Sequence, residues 1–328
     1  MAPVRSGEGP DRAPGAELDA ILEKIRSEDG PVRKEGFQAL LGMGIDAAVG
    51  ALLERVVEPG KTDDSPARIA LHGIAVHTTC SCAESGERMA FSPAAAARLE
   101  GKPLGVRRFL LEELRIAGGA DAVAALAALL ADPDLGDAAL FALESNSAPA
   151  AAEALRAALP SAKDHRRAAI IRALGAKGDA AAAAALLPEA SSEERPVRLA
   201  ALDALARLGE ASAEPAIREA VEKGFGRERL EAAHAYLRLA EKVLASGKRR
   251  EARDMYVRLL EPAMEDHLKC AGLAGLAAAG DEESVPKVIP LAASDDPAVR
   301  HSALKALEAL PGEAAAAALR AAREKTKG

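Results

Sequence analysis

The stretch from Glu193 to Glu222, EERPVRLAALDALARLGEASAEPAIREAVE, contains the unit from which most of the chain is built. Its first half has apolar residues at helical spacing on one face: Val197, Ala201, Ala204, Leu205 and Leu208. This spacing predicts a helix whose apolar stripe packs inward, with Asp203 and Arg207 on the opposite side. Gly209 predicts the end of the helix, because glycine adopts a left-handed backbone at no steric cost.

The second half of the stretch predicts another helix. Pro215 suits a first turn, where its missing N–H costs nothing. The buried side is then formed by Ala213, Ala216, Ile217, Ala220 and Val221. A single helical hairpin cannot cover both of its stripes, so we expect copies of it on either side.

The same register recurs along the chain. A leucine occupies the position of Leu205 in seven segments: Leu40, Leu114, Leu143, Leu174, Leu205, Leu276 and Leu307. Leu143, Leu174 and Leu205 follow one another at intervals of 31 residues. Glycines echo Gly209 in four of these segments: Gly44, Gly118, Gly178 and Gly280. Agreement of several columns at one offset predicts a stack of helical hairpins.

The recurring pattern is an acid, then P-x-V-R, then A-L near the helix end, then L-G. It resembles HEAT repeats, and most closely the short HEAT-like type of bacterial proteins that is also seen in phycobilin lyases. The clearest copies are residues 294–322 and 28–44. The resemblance implies an all-α fold, a right-handed α-solenoid of the ARM/HEAT type with about nine helix pairs.

The register also predicts the domain organisation. Residues 1–14 are rich in Gly, Pro and charge and are expected to be a disordered tail, and residues 15–328 a single solenoid capped by a helix at about 17–26. Two stretches depart from the repeat. Residues 65–100 predict an irregular helical pair, and residues 227–262 resemble a tetratricopeptide pair through Tyr236, Leu239, Ala240, Gly247, Ala252 and Tyr256. Both tyrosines are expected to fill the core.

Composition excludes several classes of function. Alanine and leucine dominate a chain with 2% aromatic residues and no Trp, which is typical of helices. The net charge of −7 and the absence of a basic stripe argue against nucleic-acid binding. The sequence has no run of apolar residues long enough for a membrane span. Three cysteines favour a reducing, cytoplasmic location, with an exported parent protein as the alternative.

One column of cations stands just inside the first helices: Arg33, Arg107, Arg167, Arg198, Lys269 and Arg300. It could form a ladder that binds anions. We favour a structural role, in which each cation satisfies a carboxylate or helix-end carbonyls. Gly136 interrupts the column.

Four candidate metal ligands lie close together: His72, His77, Cys80 and Cys82. Their spacing is poor for zinc, because a five-residue step on a helix turns the two imidazoles to different sides. The sequence shows no nucleophile in a recognisable catalytic context, no phosphate-binding loop and no His-Glu dipeptide. The sequence therefore predicts neither an enzyme nor a cofactor.

The favoured function is a monomeric scaffold that binds a protein or peptide on the concave face formed by the second helices. The predicted polar anchors Arg156 and Arg218 share one register on that face, two repeats of 31 residues apart. The other predicted contact residues lie near them: Glu153, Glu214 and Glu222. Leu187 and Ile289 occupy the arginine column in other repeats, so charged and apolar positions alternate. Two alternatives remain, a phycobilin-lyase-like subunit and a spacer array of a larger exported protein.

Overall fold

The computed structural model describes residues 14–80, 85–261 and 263–325. Over these residues the fold is all-α, with 19 α-helices and no strand. The helices form nine pairs preceded by one capping helix, so the predicted all-α array of about nine pairs is confirmed. The chain divides after Ala162 into two compact units, and each is built by stacking helical pairs.

The first unit contains nine helices. They are α1 (Pro14–Arg26), α2 (Gly30–Gly42), α3 (Ile45–Leu53), α4 (Ser65–Thr79), α5 (Ser85–Ala96), α6 (Leu104–Ala117), α7 (Val123–Ala128), α8 (Gly136–Ser145) and α9 (Pro149–Ala158). The capping helix α1 packs against α2 and α4, while α4 packs against α6 and α6 against α8. The irregular pair predicted over residues 65–100 corresponds to α4 and α5.

The second unit contains ten helices. They are α10 (Asp164–Lys177), α11 (Ala183–Leu186), α12 (Arg195–Leu208), α13 (Glu214–Lys223), α14 (Gly226–Ala245), α15 (Arg249–Arg258), α16 (Asp266–Ala279), α17 (Val285–Val288), α18 (Pro297–Ala309) and α19 (Glu313–Lys325). First helices stack on one another, α10 on α12, α12 on α14 and α16 on α18.

The repeated leucine column forms the spine of both units. All seven leucines predicted from the register are at most 1% exposed. The repeat glycines at 44, 178, 209 and 280 have φ between +65° and +80°, a conformation that residues with a Cβ rarely adopt. Gly118 is different, since it ends α6 with φ −74°.

The pair α14–α15 has the largest aromatic side chains in the core. Tyr236 and Tyr256 are 2% and 1% exposed, which confirms the prediction that they fill the interior. The Tyr256 ring lies against α16 at Gly275, where an added Cβ would meet the ring at 2.3 Å. A glycine at this position therefore makes room for an aromatic ring from the preceding pair.

The second helices of the second unit differ in continuity. Helix α13 runs through ten residues, whereas α11 and α17 have four each and continue as 3-10 turns. In both short helices a proline follows the predicted apolar position, Pro188 after Leu187 and Pro290 after Ile289. Proline has no backbone N–H to donate to the carbonyl four residues earlier, which explains why the α-helical hydrogen bonding stops there. Ile289 is 40% exposed and Leu187 is half-buried.

Some predictions lie outside the described residues or remain predictions. Of the tail expected over residues 1–14, residues 1–13 lie outside the described ranges, and Pro14 is the first residue of α1. Cys82 is also outside the described ranges. The handedness of the superhelix and the continuity of one domain over residues 15–328 stay predictions. No single described helix is long and apolar enough to cross a membrane; α2 and α3 reach that length only when joined across a bend of 108°.

Candidate functional site

Three arginines of the predicted cation column make hydrogen bonds within their own repeats. Arg33, Arg198 and Arg300 each donate to the carbonyl of the residue six positions earlier, at 2.8, 2.6 and 2.5 Å. Each bond ties the start of a first helix to the linker before it. Arg198 also reaches Glu228 of the next pair at 2.6 Å. Groups engaged in this way do not form an anion-binding ladder.

Three of the four weak metal candidates, His72, His77 and Cys80, lie within the described ranges, and each has another partner. His77 Nε2 lies 3.1 Å from Glu87 Oε2, and His72 Nδ1 lies 3.1 Å from Glu113 Oε2 on α6. Burial raises the pKa of the Glu113 carboxyl, which is 4% exposed. Cys80 is disulfide-bonded and therefore not a thiolate ligand. Within the described ranges, no group of three or more His, Cys, Asp or Glu side chains could hold a metal ion.

The predicted contact residues fall into both units. Glu153 and Arg156 lie on α9 of the first unit, where Glu153 is exposed and Arg156 half-buried beside the buried Leu155. The other three lie on α13 of the second unit: Glu214, Arg218 and Glu222. In the second unit, the three predicted residues line one wall of a cleft.

Arg218 is held between two carboxylates on its own helix. Its Nε lies 3.3 Å from Glu214 Oε1, and its Nη1 lies 3.4 Å from Glu222 Oε1. Glu214 and then Glu222 raise the pKa of the guanidinium by their negative charge. The three side chains are each one turn apart, which is the spacing that lets them meet on a helix surface. Arg218 is therefore neutralised locally and does not present an unpaired positive charge.

A cleft separates α13 from α15, with α14 as its floor. It has a volume of about 240 Å³. The lining comes from the three helices and the turn before α13: Ala211, Glu214, Tyr236, Leu239, Val243, Glu251, Asp254, Met255 and Arg258. Past Tyr236 and Arg258 it continues as a narrow slot lined by Arg218, Val221, Glu222, Leu259, Glu261 and Met264.

Tyr236 fixes one wall of the cleft to the floor. Its hydroxyl donates to Glu214 Oε1 at 2.8 Å. Burial, followed by this bond to a carboxylate, raises the pKa of the Tyr236 phenol well above its ordinary value of about 10. A buried phenol that stays protonated and bonded in this way holds Glu214 in place and does not act as a nucleophile.

The cleft combines an apolar interior with an acidic rim. Together the cleft and slot are lined by five carboxylates, Glu214, Glu222, Glu251, Asp254 and Glu261, and by two guanidinium groups, Arg218 and Arg258. Five negative groups against two positive ones leave a net charge of −3. Such a rim attracts a basic partner and repels an acidic one.

The sequence pattern marked the cleft residues on α13 and missed those on α15. The α13 residues follow the 31-residue register, which aligns them with other second helices. Glu251, Asp254 and Arg258 lie in the pair that departs from that register, so no column marked them. The one available signal was the pair itself, since its two tyrosines show that its core is built from larger side chains than its neighbours.

Comparison with known proteins supports the fold. Residues 242–327 match the family model described as HEAT repeats. The match includes α15, which the sequence pattern assigned to the tetratricopeptide-like pair. No curated protein matches the chain.

Solved structures with the same kind of fold include karyopherins. The chain is similar to Kap121p bound to Pho4p, with a TM-score of 0.53 and 12% identity over 91% of this chain and 38% of Kap121p. It is also similar to Kap121p bound to the extreme C-terminus of the protein phosphatase Cdc14p, with a TM-score of 0.54 and 12% identity over 91% and 38% of the two chains. Kap95p, from a structure with RanGDP, gives a TM-score of 0.54 and 12% identity over 91% and 46%.

The chain spans less than half the length of these karyopherins. At such low identity the likeness shows the fold alone. The fold is the HEAT/armadillo type of α-solenoid, as the repeat pattern predicts.

Proposed function

We propose that the chain is a non-catalytic scaffold that binds an extended segment of a protein partner in the cleft between α13 and α15. The observation that carries this proposal is the cleft itself, since it combines a buried apolar floor with a charged rim on the second-helix face. Binding surfaces commonly place apolar contacts at the centre and polar groups around them. The residues lining the cleft include no nucleophile with a neighbouring base, which favours binding over catalysis.

The dimensions of the cleft favour a segment over a folded surface. Its volume of about 240 Å³ accommodates a few side chains, and the slot beyond Tyr236 extends its length along α13. An extended segment can place alternate side chains into such hollows while its backbone runs along the rim. The karyopherins with the same fold are described as bound to protein partners, one of them to the extreme terminus of a chain, which supports this class of function.

The charge of the rim favours a basic segment. Arg218 is already paired with Glu214 and Glu222, so an acidic partner would have to displace one of them. Lysine or arginine side chains of a partner would instead reach Glu251 and Glu261, which are exposed at the rim. In this proposal the carboxylates of the rim, and not Arg218, recognise the partner. In the first unit Glu153 and Arg156 remain proposed contact residues on α9.

In this proposal the chain acts as a monomer with a protein partner and without a cofactor. The experiment that tests it selects short random peptides from a display library on the immobilised full chain. We expect the selected peptides to combine apolar residues with Lys or Arg. Their affinity should fall as salt is added, because exposed charge pairs are screened.

A charge-reversed variant locates the binding. Glu251→Lys with Glu261→Lys should abolish binding of the selected peptides and leave the melting temperature unchanged, since both side chains are exposed. The matched control is Glu193→Lys with Glu282→Lys, which reverses two exposed carboxylates of the same unit that do not line the cleft. Equal loss of affinity in both double variants would mean that net charge alone attracts the peptides, and no loss in either would place the site elsewhere.

A further inference from the structure

Two imidazoles meet on the first-helix side of the inserted pair. His234 lies on α14 and His267 on α16, and both are exposed. Their Nε2 atoms are 3.3 Å apart, with ring centroids 5.5 Å apart and ring planes at 51°. The two residues are 33 positions apart in the chain, so helix stacking brings them together.

The distance between the two nitrogens is the one that tetrahedral zinc requires. Zinc binds histidine nitrogens at about 2.0–2.1 Å, so two nitrogens on one tetrahedral ion are separated by about 3.3–3.4 Å. Both rings are exposed, so the small rotation that turns their lone pairs toward a common ion meets little resistance.

Without a metal the same pair shares one hydrogen bond. One neutral ring donates through its Nε2–H, and the other accepts through a lone pair. A divalent ion takes the place of that proton and engages both Nε2 lone pairs, while the donor ring stays neutral because its one proton moves to Nδ1. The two arrangements use the same atoms at almost the same separation, so metal binding needs no rearrangement of the helices.

We propose that His234 and His267 form a surface site for a divalent transition-metal ion of the zinc class, with water completing its coordination. Imidazole ligands suit Zn²⁺, Ni²⁺ and Cu²⁺, whereas Mg²⁺ and Ca²⁺ prefer oxygen ligands. The site has two protein ligands, in agreement with the absence of any larger metal-ligating group in the described ranges.

The neighbouring polar groups do not complete the site. Glu231 precedes His234 by one turn and accepts from Arg227 Nε at 2.6 Å. Cys270 follows His267 by three residues on α16 and is a free, half-buried cysteine. The proposal assigns the ion to the two imidazoles alone, and a Cys270→Ser variant tests this assignment.

The position of the site gives it a structural consequence. Helix α14 packs extensively on α12 and α13 and more lightly on α16. An ion held by His234 and His267 links the inserted pair to the repeat that follows it. Because the two ligands come together only in the folded chain, the ion stabilises the native state, and above the Kd this stabilisation grows with the logarithm of the ion concentration.

The test measures thermal unfolding and calorimetric titration of the full chain with Zn²⁺ alone. At about pH 7.5 we expect Zn²⁺ to raise the unfolding temperature and to bind at one ion per chain. Mg²⁺ at the same concentration should give no shift. At about pH 5 the zinc shift should disappear, because protons compete with a metal ion for its ligands.

Variants decide whether the two histidines hold the ion. His234→Gln and His267→Gln should each lose the zinc-dependent shift while keeping the unfolding temperature of the metal-free chain. The matched control His301→Gln removes another exposed histidine of the same unit and should keep the shift, as should Cys270→Ser. Absence of a shift in the parent chain, its persistence in either histidine variant, or its loss in Cys270→Ser would overturn the proposal.

Discussion

The pair α12–α13 and the pair α14–α15 are neighbours in the second unit and are built from different side chains. Helix α12 buries alanines together with leucines. The alanines bury little area each and let helices approach closely. Helices α14 and α15 bury two tyrosines. Small residues thus give a tight, repetitive stack, and larger ones interrupt it and leave the cleft between α13 and α15.

Two glycines show the same difference at the level of single atoms. An added Cβ at Gly175 on α10 would lie 2.7 Å from the Cα of Ala204, so this glycine lets two helix backbones approach. An added Cβ at Gly275 on α16 would instead meet the ring of Tyr256 at 2.3 Å. In the regular repeats a glycine lets two helices approach each other, and beside the inserted pair a glycine makes room for an aromatic ring.

The largest effect is expected in the regular stack. Leu205→Asp places a carboxylate in the fully buried leucine column of α12. Burying an unpaired charge and losing the leucine should cost about 5 kcal/mol or more of unfolding free energy, enough to unfold the unit. Circular dichroism during urea unfolding measures this loss. A folded variant with an unchanged midpoint would show that the leucine column does not form the core.

A smaller effect is expected beside the inserted pair. Gly275→Ala forces a methyl group into the Tyr256 ring and should lower the unfolding free energy by about 1–3 kcal/mol. Gly42→Ala is the control, since nothing lies within 4 Å of its added Cβ and alanine favours a helix. Urea unfolding of both variants measures the difference. Equal midpoints would mean that the Tyr256 ring moves aside at no cost.

Arg218→Glu tests the wall of the cleft. The sequence alone predicts that a change at Arg218, made together with Arg156→Glu, leaves the melting temperature unchanged. The structure changes this expectation, because the new carboxylate would lie beside Glu214 and Glu222. Loss of two ion pairs and gain of repulsion should lower the unfolding temperature, and added salt should partly restore it. No change in unfolding temperature would show that the observed ion pairs contribute nothing in solution.

The smallest effect is expected at Asp203. Its carboxylate faces away from the leucine column, yet it accepts from Arg207 at 2.7 Å and also from Arg238 of α14. Because these pairs are partly exposed, Asp203→Ala should cost only about 0.5–1 kcal/mol. Chemical denaturation of this variant beside Leu205→Asp measures the contrast. A loss as large as that of the leucine variant would mean that the two faces of α12 are assigned wrongly.

The sequence predicts the features that depend on local spacing. The buried leucine column, the left-handed glycines after α10, α12 and α16, and the two tyrosines of the core all follow from residue type and helical period. Each of these is decided within one or two turns of helix, where a single sequence carries the information.

Features that depend on the approach of distant helices could not be predicted. The pairing of Asp203 with Arg238 joins residues 35 positions apart, and the burial of Glu113 depends on α4 lying beside α6. The cleft is of the same kind. The sequence marked Arg218 as a polar anchor, but only the spacing of α13 and α15 shows that carboxylates dominate the rim.

The most direct test of the account is hydrogen–deuterium exchange of the full chain with and without a display-selected basic peptide. The account predicts slower amide exchange in α13 and α15, which form the two walls of the cleft, and unchanged exchange in α11 and α17 of the same unit. Protection confined to α11, α17 or the loops between helices would contradict it and place the binding surface outside the inserted pair.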